Sequence, residues 1–146
     1  MAISQTVRHI LIVEDNLAHI RLIQEAFKLH QQAYDLAIAR DGVEAITYLQ
    51  QMDVSAPTNR PDLILLDLNL PRKNGHQVLA EVKEDPQLRC IPIVVLSTSN
   101  YAADIQQSYD LHANCYIRKS RNFQELSHLI QQIEDFWFNT VTLQPK

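Results

Sequence analysis

The chain has 146 residues and a formal net charge of −4, which is the size of one ordinary domain with enough residues to bury a hydrophobic core. The acidic balance argues against nucleic-acid binding, which favours a basic surface. No apolar run approaches the roughly 20 residues of a membrane span, and the N-terminus lacks the apolar centre of a signal peptide, so we predict a cytoplasmic protein. Two glycines are too few for a glycine-rich phosphate loop, and six scattered histidines lack the His-Glu-x-x-His spacing of a zinc site.

Five short apolar segments have the composition of strands in a parallel sheet. In chain order they are His9–Val13, Tyr34–Ala39, Leu63–Leu66, Ile93–Leu96 and Cys115–Ile117. The second segment is poorer in β-branched residues than the others, so we place it at the edge of the sheet.

Five segments with helical spacing of apolar residues alternate with these strands. They are Leu17–Leu29, Val43–Gln51, His76–Glu84, Tyr101–Leu111 and Phe123–Phe138. The fourth has few apolar residues, which predicts weak attachment to the core. The segment Met52–Pro61 is predicted to be a loop, and residues 139–146 a tail.

This alternation of strands and helices predicts one α/β domain over residues 1–146, with its core at about 8–138. Five βα units form a flavodoxin-like, doubly wound parallel sheet with strand order 2-1-3-4-5. In that order the first, third, fourth and fifth strands are contiguous, so their carboxyl ends meet at one edge.

Polar side chains follow each of these four strands. They are Glu14 and Asp15, then Asp67, then Ser97, then Lys119. Each has an ordinary explanation alone: acids favour the start of a helix, a serine begins a turn, and a loop lysine faces solvent. Together they predict a crevice containing three carboxylates, a hydroxyl and an ammonium group.

Crowded carboxylates repel one another unless a cation lies among them, and oxygen ligands favour Mg²⁺ or a similar ion such as Mn²⁺. A metal and a lysine that offset phosphate charge, with a carboxylate as acceptor, are the parts needed for phosphoryl transfer. Asp67, at the end of the central strand, is the predicted acceptor.

This set of residues, with Pro71 and Gly75 after the central strand, resembles the CheY-like receiver domains of two-component response regulators. Ser97 lies 30 positions after Asp67, and Lys119 lies 22 positions after Ser97, as is common in that family. The turn NLPRKNG, the segment SYDLHANCYI and the aromatic C-terminal extension more narrowly resemble the cyanobacterial phytochrome-associated (Rcp-type) regulators.

The resemblance implies specific roles, with Asp67 accepting a phosphoryl group from a sensor histidine kinase, which the narrower likeness predicts to be a phytochrome. Asp15 would bind Mg²⁺ directly and Glu14 through water, together with an Asp67 oxygen and the backbone carbonyl of Asn69. Ser97 and Lys119 would contact the phosphoryl group. Tyr116, three residues before Lys119, matches the aromatic switch residue of the family. Such a protein is a phosphoacceptor that assists its own phosphorylation and dephosphorylation, rather than an enzyme acting on a separate substrate.

Two departures from the family pattern stand out. Ser120 follows Lys119 where the family usually has a proline joined by a cis bond, so a cis and a trans Lys119–Ser120 bond both remain open. The loop Met52–Pro61 is longer than usual and remote from the site.

No DNA-binding or enzymatic segment follows residue 138, so the expected output is a protein contact by a stand-alone receiver. Three consecutive aromatic residues, Phe136, Trp137 and Phe138, cannot all lie on one helical stripe. Those left exposed would form an apolar patch, and we predict a homodimer through this region. The alternative is that the tail folds back onto its own domain.

Three other functions were weighed. A flavin-binding protein shares the fold, but Glu14 and Asp15 would repel the flavin phosphate. A phosphatase with an aspartate nucleophile needs an acid two residues later, where Asn69 stands. A pseudo-receiver that binds partners without being phosphorylated is the nearest alternative, although a scaffold needs neither the acids nor Ser97 and Lys119.

Overall fold

A computed structural model describes residues 6–29, 32–52 and 60–146, and in these ranges five strands alternate with five α-helices. The strands are β1 (Arg8–Val13), β2 (Tyr34–Ala39), β3 (Leu63–Leu66), β4 (Ile93–Ser97) and β5 (Cys115–Arg118). They form one parallel sheet in the order β2-β1-β3-β4-β5, which confirms the predicted fold and the edge position of the second strand. Most of the predicted loop Met52–Pro61, at positions 53–59, lies outside the described residues.

The helices lie close to their predicted positions. They are α1 (Leu17–Lys28), α2 (Gly42–Gln50), α3 (Gly75–Glu84), α4 (Ala102–Asp110) and α5 (Phe123–Glu134). Four begin at a side chain that accepts a backbone N–H of the first turn, which satisfies a donor that the helix leaves unpaired. These caps are Asn16, Asp41, Asn74 and Asn122. The fourth helix, α4, has no side-chain cap.

Alternate residues of each strand point to opposite faces of the sheet, and helices cover both faces. On one face Leu11, Ile64 and Val95 pack with apolar residues of α2 and α3. On the other, Ile12 and Leu65 pack with apolar residues of α1 and α5. Because both faces are covered, polar side chains have room mainly at the two ends of the strands, where the strands meet loops.

The end of the chain differs from the prediction of one helix over Phe123–Phe138. The α-helix α5 stops at Glu134, and a π-helical segment continues over Asp135–Thr140. Two of the three consecutive aromatic residues, Trp137 and Phe138, are buried in the core on the α1–α5 side, while Phe136 is 53% exposed. The three aromatic residues do not share one exposed face, as predicted, and Phe136 is the one that faces solvent. Val141 and Leu143 pack against the same core, so the tail folds back onto its own domain.

Candidate metal centre

The three predicted carboxylates meet at the carboxyl edge of the sheet. Val13 of β1 pairs with Leu66 of β3, and the Asp67 N–H donates to the Val13 carbonyl at 3.0 Å. The residues that follow these strands are therefore neighbours. One carboxylate oxygen from each of Glu14, Asp15 and Asp67 lies within 4.8 Å of the others. The predicted cluster is confirmed, and its all-oxygen donors fit a hard divalent cation.

Lys119 reaches the cluster from the end of β5, the strand at the edge of the sheet beyond β4. It directly follows β5, and its backbone N–H donates to the carbonyl of Ser97 at 2.7 Å, which places it beside the end of β4. Its ammonium group forms a buried ion pair with Glu14 and lies 3.6 Å from Oδ2 of Asp67. The prediction brought Lys119 to the site correctly but did not anticipate that Glu14 is its nearest partner.

The carboxylates differ in their affinity for protons. Burial raises the pKa of Asp67 to about 6, assisted by the neighbouring Glu14 and opposed by the positive charge of Lys119. Burial also acts to raise the pKa of Glu14, but hydrogen bonds from Asp67 and Lys119 outweigh it and leave that pKa lowered. Asp67 is consequently the carboxyl group that holds a proton when the two share one.

Glu14 is held by a residue that sequence reasoning missed. His19 Nδ1 lies 3.0 Å from Glu14 Oε1, while Glu14 Oε2 accepts the backbone N–H of Asp15 at 3.0 Å. The zinc-type spacing that the histidines lack says nothing about a single histidine beside a carboxylate. A usable signal existed, because His19 is three residues after the helix cap Asn16 and so faces the start of its own helix.

The turn after Asp67 depends on a close backbone approach. Leu68 N–H donates to Asp67 Oδ1 at 2.8 Å, which orients the carboxylate. The backbone of Gly75 comes so close to this segment that a Cβ on it would lie 2.3 Å from the Asp67 carbonyl oxygen, so only glycine fits. Asn69 lies exposed in the same turn, and its carbonyl as a metal ligand remains a prediction.

The hydroxyl residues after β4 connect the site to α4. Ser97 is fully buried, and its Oγ accepts the N–H of Ser99 at 3.2 Å. The Ser99 carbonyl accepts the hydroxyl of Tyr116 at 2.8 Å, and the Ser99 hydroxyl donates to Asp104 of α4 at 2.5 Å. Tyr116 is half-buried against the α2–α3 core, so its side chain points inward. Sequence reasoning named Ser97 and Tyr116 but missed Ser99, the residue that links them.

The Lys119–Ser120 peptide bond is trans, which decides the question that the sequence left open. The Ser120 hydroxyl donates to Glu125 at 2.5 Å and accepts the N–H of Asn122 at 3.1 Å. A proline at this position could make neither bond, so the serine joins the end of β5 to the start of α5 differently.

Comparison with known proteins places the chain in a family. Residues 10–131 match the response regulator receiver domain family. Response regulator Rcp1 of Synechocystis sp. is 52% identical over 134 residues, which are 92% of this chain and 91% of Rcp1. The chain belongs to the response regulator receiver domains. As a receiver domain it accepts a phosphoryl group in two-component signalling, and receiver domains take that group from sensor histidine kinases.

Solved receiver structures agree with this assignment. The phosphorylated cyanobacterial phytochrome response regulator RcpA has a TM-score of 0.87 at 54% identity, covering 94% of this chain and 99% of that one. The Mn²⁺-bound form of response regulator Rcp1 has a TM-score of 0.85 at 50% identity, with the same coverage. Across the described residues of this receiver domain, no helix combines the length and apolar character needed to cross a bilayer.

Proposed function

We propose that Asp67 is the phosphoacceptor of this receiver domain and that its phosphorylation requires Mg²⁺ or Mn²⁺. The observation that carries the proposal is the approach of three carboxylates to within 4.8 Å of one another, with a buried ammonium group beside Asp67. A scaffold has no use for this arrangement, because burying Glu14 and Asp67 beside Asp15 costs free energy that the single ammonium group of Lys119 offsets only in part, and a bound cation would offset the rest.

The cation would bind directly to Asp67 and to Asp15, the most accessible of the three acids. Glu14 would act through water, and the Asn69 carbonyl would complete the ligand set. The cation would neutralise charge on the phosphoryl oxygens. The resting partner of Lys119 is Glu14, so we infer that Lys119 turns from Glu14 toward the phosphoryl group as it arrives. Through this pairing the domain assists its own phosphorylation and dephosphorylation.

Phosphorylation would be sensed through Ser97. If its hydroxyl turns to the phosphoryl oxygen, it releases the Ser99 N–H that it now accepts. Ser99 also holds Tyr116 and Asp104, so a change at Ser99 would alter the position of Tyr116 and of α4 together. Phosphorylation would thereby shift an equilibrium between two arrangements of Tyr116 and α4.

The partner kinase is proposed to be a phytochrome, acting in the cytoplasm. Support comes from RcpA, which is a cyanobacterial phytochrome response regulator and shares 54% of its residues with this chain. A homodimer is proposed through the exposed face of α5 near Phe136, the one of the three aromatic residues that faces solvent. Sedimentation that finds only monomer at micromolar concentration would count against the dimer.

The decisive test of the acceptor is phosphorylation by a small phosphodonor with Mg²⁺, followed by intact mass measurement. We expect one added phosphoryl group in the wild type and none after Asp67→Asn or without the metal. Labelling that persists in Asp67→Asn would move the acceptor elsewhere. No labelling of the wild-type protein with any donor or kinase would support the pseudo-receiver instead.

The metal can be tested without phosphorylation. The metal-free pKa of Asp67 is about 6, so a cation must displace a proton below that pH. We expect Mg²⁺ affinity to weaken as the pH falls through this value, with proton release on binding, both measured by calorimetry in buffers of different ionisation enthalpy. Asp67→Asn should weaken binding and remove this step in the pH profile. Affinity that does not change with pH in the wild type would contradict a cation bound to Asp67.

A further inference from the structure

A polar cavity of about 490 Å³ lies beside the phosphoryl site. Its lining residues are Thr98, Arg118, Lys119, Ser120, Arg121 and Glu125. The carboxylate cluster and this cavity share Lys119, whose ammonium group is 3.6 Å from Asp67. Thr98 of the cavity follows Ser97 of the site, so the cavity and the phosphoryl site are neighbours at the carboxyl ends of β4 and β5.

The charges of the cavity favour an anion. Arg118 and Arg121 are both exposed, and neither guanidinium has an ion-pair or hydrogen-bond partner within the described ranges. The lining contains one carboxylate, Glu125, and its Oε2 is occupied by the Ser120 hydroxyl. Two unpaired arginines lining one cavity are notable in a chain whose net charge is −4.

Local structure places both arginines at this position. Arg118 is the last residue of β5 and pairs with Ser97, so its backbone lies at the same sheet edge as the phosphoryl site. Arg121 lies in the short connection to α5, which Ser120 ties to Glu125. The serine that replaces the usual proline thus helps to shape the cavity wall.

We propose that Arg118 and Arg121 bind the acyl end of a small acyl phosphate donor while its phosphoryl group lies against Asp67. This proposal rests on Asp67 being the phosphoacceptor. An Asp67 oxygen forms a bond to phosphorus, and the bond between phosphorus and the acyl oxygen breaks. The electron pair of that bond leaves on the acyl oxygen as a carboxylate, with no proton or further reactant needed. A guanidinium group donates hydrogen bonds in a fork that suits the two oxygens at the acyl end, so the pair holds this end equally before and after the transfer and acts on donor binding.

Two donors with different leaving groups separate this role from general attraction. Acetyl phosphate releases a carboxylate, whereas phosphoramidate releases ammonia and has no acyl oxygen for an arginine to bind. Labelling rates of the wild type and of the Arg118→Gln/Arg121→Gln double variant are measured against the concentration of each donor with Mg²⁺. A salt concentration of about 0.5 M screens attraction beyond roughly 5 Å, so only contact effects remain.

We expect the double variant to raise KM for acetyl phosphate about tenfold, as loss of charge-assisted hydrogen bonds predicts, and to leave KM for phosphoramidate unchanged. Arg121→Gln alone should show a smaller rise of the same kind. Equal changes with both donors, or no change with either, would overturn the proposal.

The matched control is Arg89→Gln, an exposed arginine just before β4 at the opposite edge of the sheet. It should leave both KM values as in the wild type, and a rise with acetyl phosphate there would also overturn the proposal. The experiment distinguishes failure of the arginine proposal from failure of Asp67 as the phosphoacceptor. Labelling of the double variant by phosphoramidate at the wild-type rate shows an intact acceptor, whatever the result with acetyl phosphate.

Discussion

The helices α4 and α5 flank the same edge of the sheet and are attached to it by different forces. In α5 the apolar residues Leu126, Ile130 and Ile133 are buried against α1 and the sheet. Trp137 and Phe138 extend this contact through the π-helical segment that follows. In α4 the one buried residue is polar, Ser108.

Hydrogen bonds, rather than buried apolar residues, attach α4 to the rest of the domain. His76 Nε2 of α3 lies 3.1 Å from the Ser108 hydroxyl, which donates to the carbonyl of Asp104 at 2.8 Å. At the start of the helix Asp104 accepts from Ser99, and near its end the Tyr109 hydroxyl accepts the N–H of Tyr116 at 3.1 Å. The low hydrophobicity of this segment thus corresponds to a helix with one buried residue, and its weak attachment stays a prediction.

This difference separates a fixed element from one that can move. Apolar burial stabilises by about 25 cal/mol per Å² and does not depend on direction. A hydrogen bond contributes only about 1 kcal/mol net and is lost when its geometry changes. We therefore expect a change at the phosphoryl site to displace α4, which is bonded to Ser99, and to leave α5 in place.

The largest effect is expected from removing an anchor of the fixed side. Trp137→Ala should lower the free energy of unfolding by about 3–5 kcal/mol, because it leaves a cavity in the α1–α5 core. Urea denaturation measures this, with the exposed neighbour Phe136→Ala as control, for which a change under about 1 kcal/mol is expected. Equal losses in the two variants would contradict the burial of Trp137.

A smaller effect is expected at the single buried residue of α4. Ser108→Ala removes the hydroxyl that His76 contacts, which should cost about 1–2 kcal/mol in urea denaturation. Ser127→Ala, a half-buried serine of α5, is the matched control and should change stability by less than about 0.5 kcal/mol. A loss in Ser127→Ala as large as in Ser108→Ala would mean that hydrogen bonding does not distinguish the two helices.

A third variant tests the contact between Ser99 and the start of α4. Ser99→Ala removes its hydrogen bond to Asp104, so α4 amides should exchange with solvent several-fold faster, by about 1 kcal/mol of local stability. Hydrogen-exchange mass spectrometry compares peptides from α4 and α5, and the α5 peptides serve as the internal control. Unchanged exchange in α4 would show that Ser99 does not hold the helix.

The smallest expected change needs no mutation. Phosphorylation of the wild type should alter amide exchange in α4 and in the loop after β4, and leave α5 unchanged, because only α4 is attached through Ser99. Asp67→Asn treated with the same donor is the control. A response confined to α5 would reverse the assignment of the moving and the fixed helix.

The local pattern of apolar residues was sufficient to predict most of the fold. Five apolar segments of strand length alternate with helical spacing, and parallel strands joined by helices have few possible arrangements. The strand order in turn places the residues after β1 and β3 side by side, so the meeting of Asp15 with Asp67 followed from the sequence. The end of α5 did not, because no periodicity announces a change from α to π geometry at Asp135.

Within the site, the sequence named the groups but not their partners. The structure shows that Lys119 pairs with Glu14 and that His19 holds the same carboxylate. It also shows that Ser99 joins Ser97 to Tyr116. In each case the side chain has several possible partners within a few ångströms. Such choices depend on side-chain rotamers and on which acid keeps its charge when buried, and neither is written in residue spacing.

The sequence by itself determined a five-stranded parallel receiver fold with three acids, a serine and a lysine at one edge, because hydrophobic periodicity and strand order are local and topological properties. Only the tertiary structure decided that Trp137 and Phe138 belong to the core and that the Lys119–Ser120 bond is trans. It also decided that Arg118 and Arg121 border a cavity that Lys119 joins to the phosphoryl site. Those outcomes depend on competition for buried volume and for charge between segments far apart in the chain.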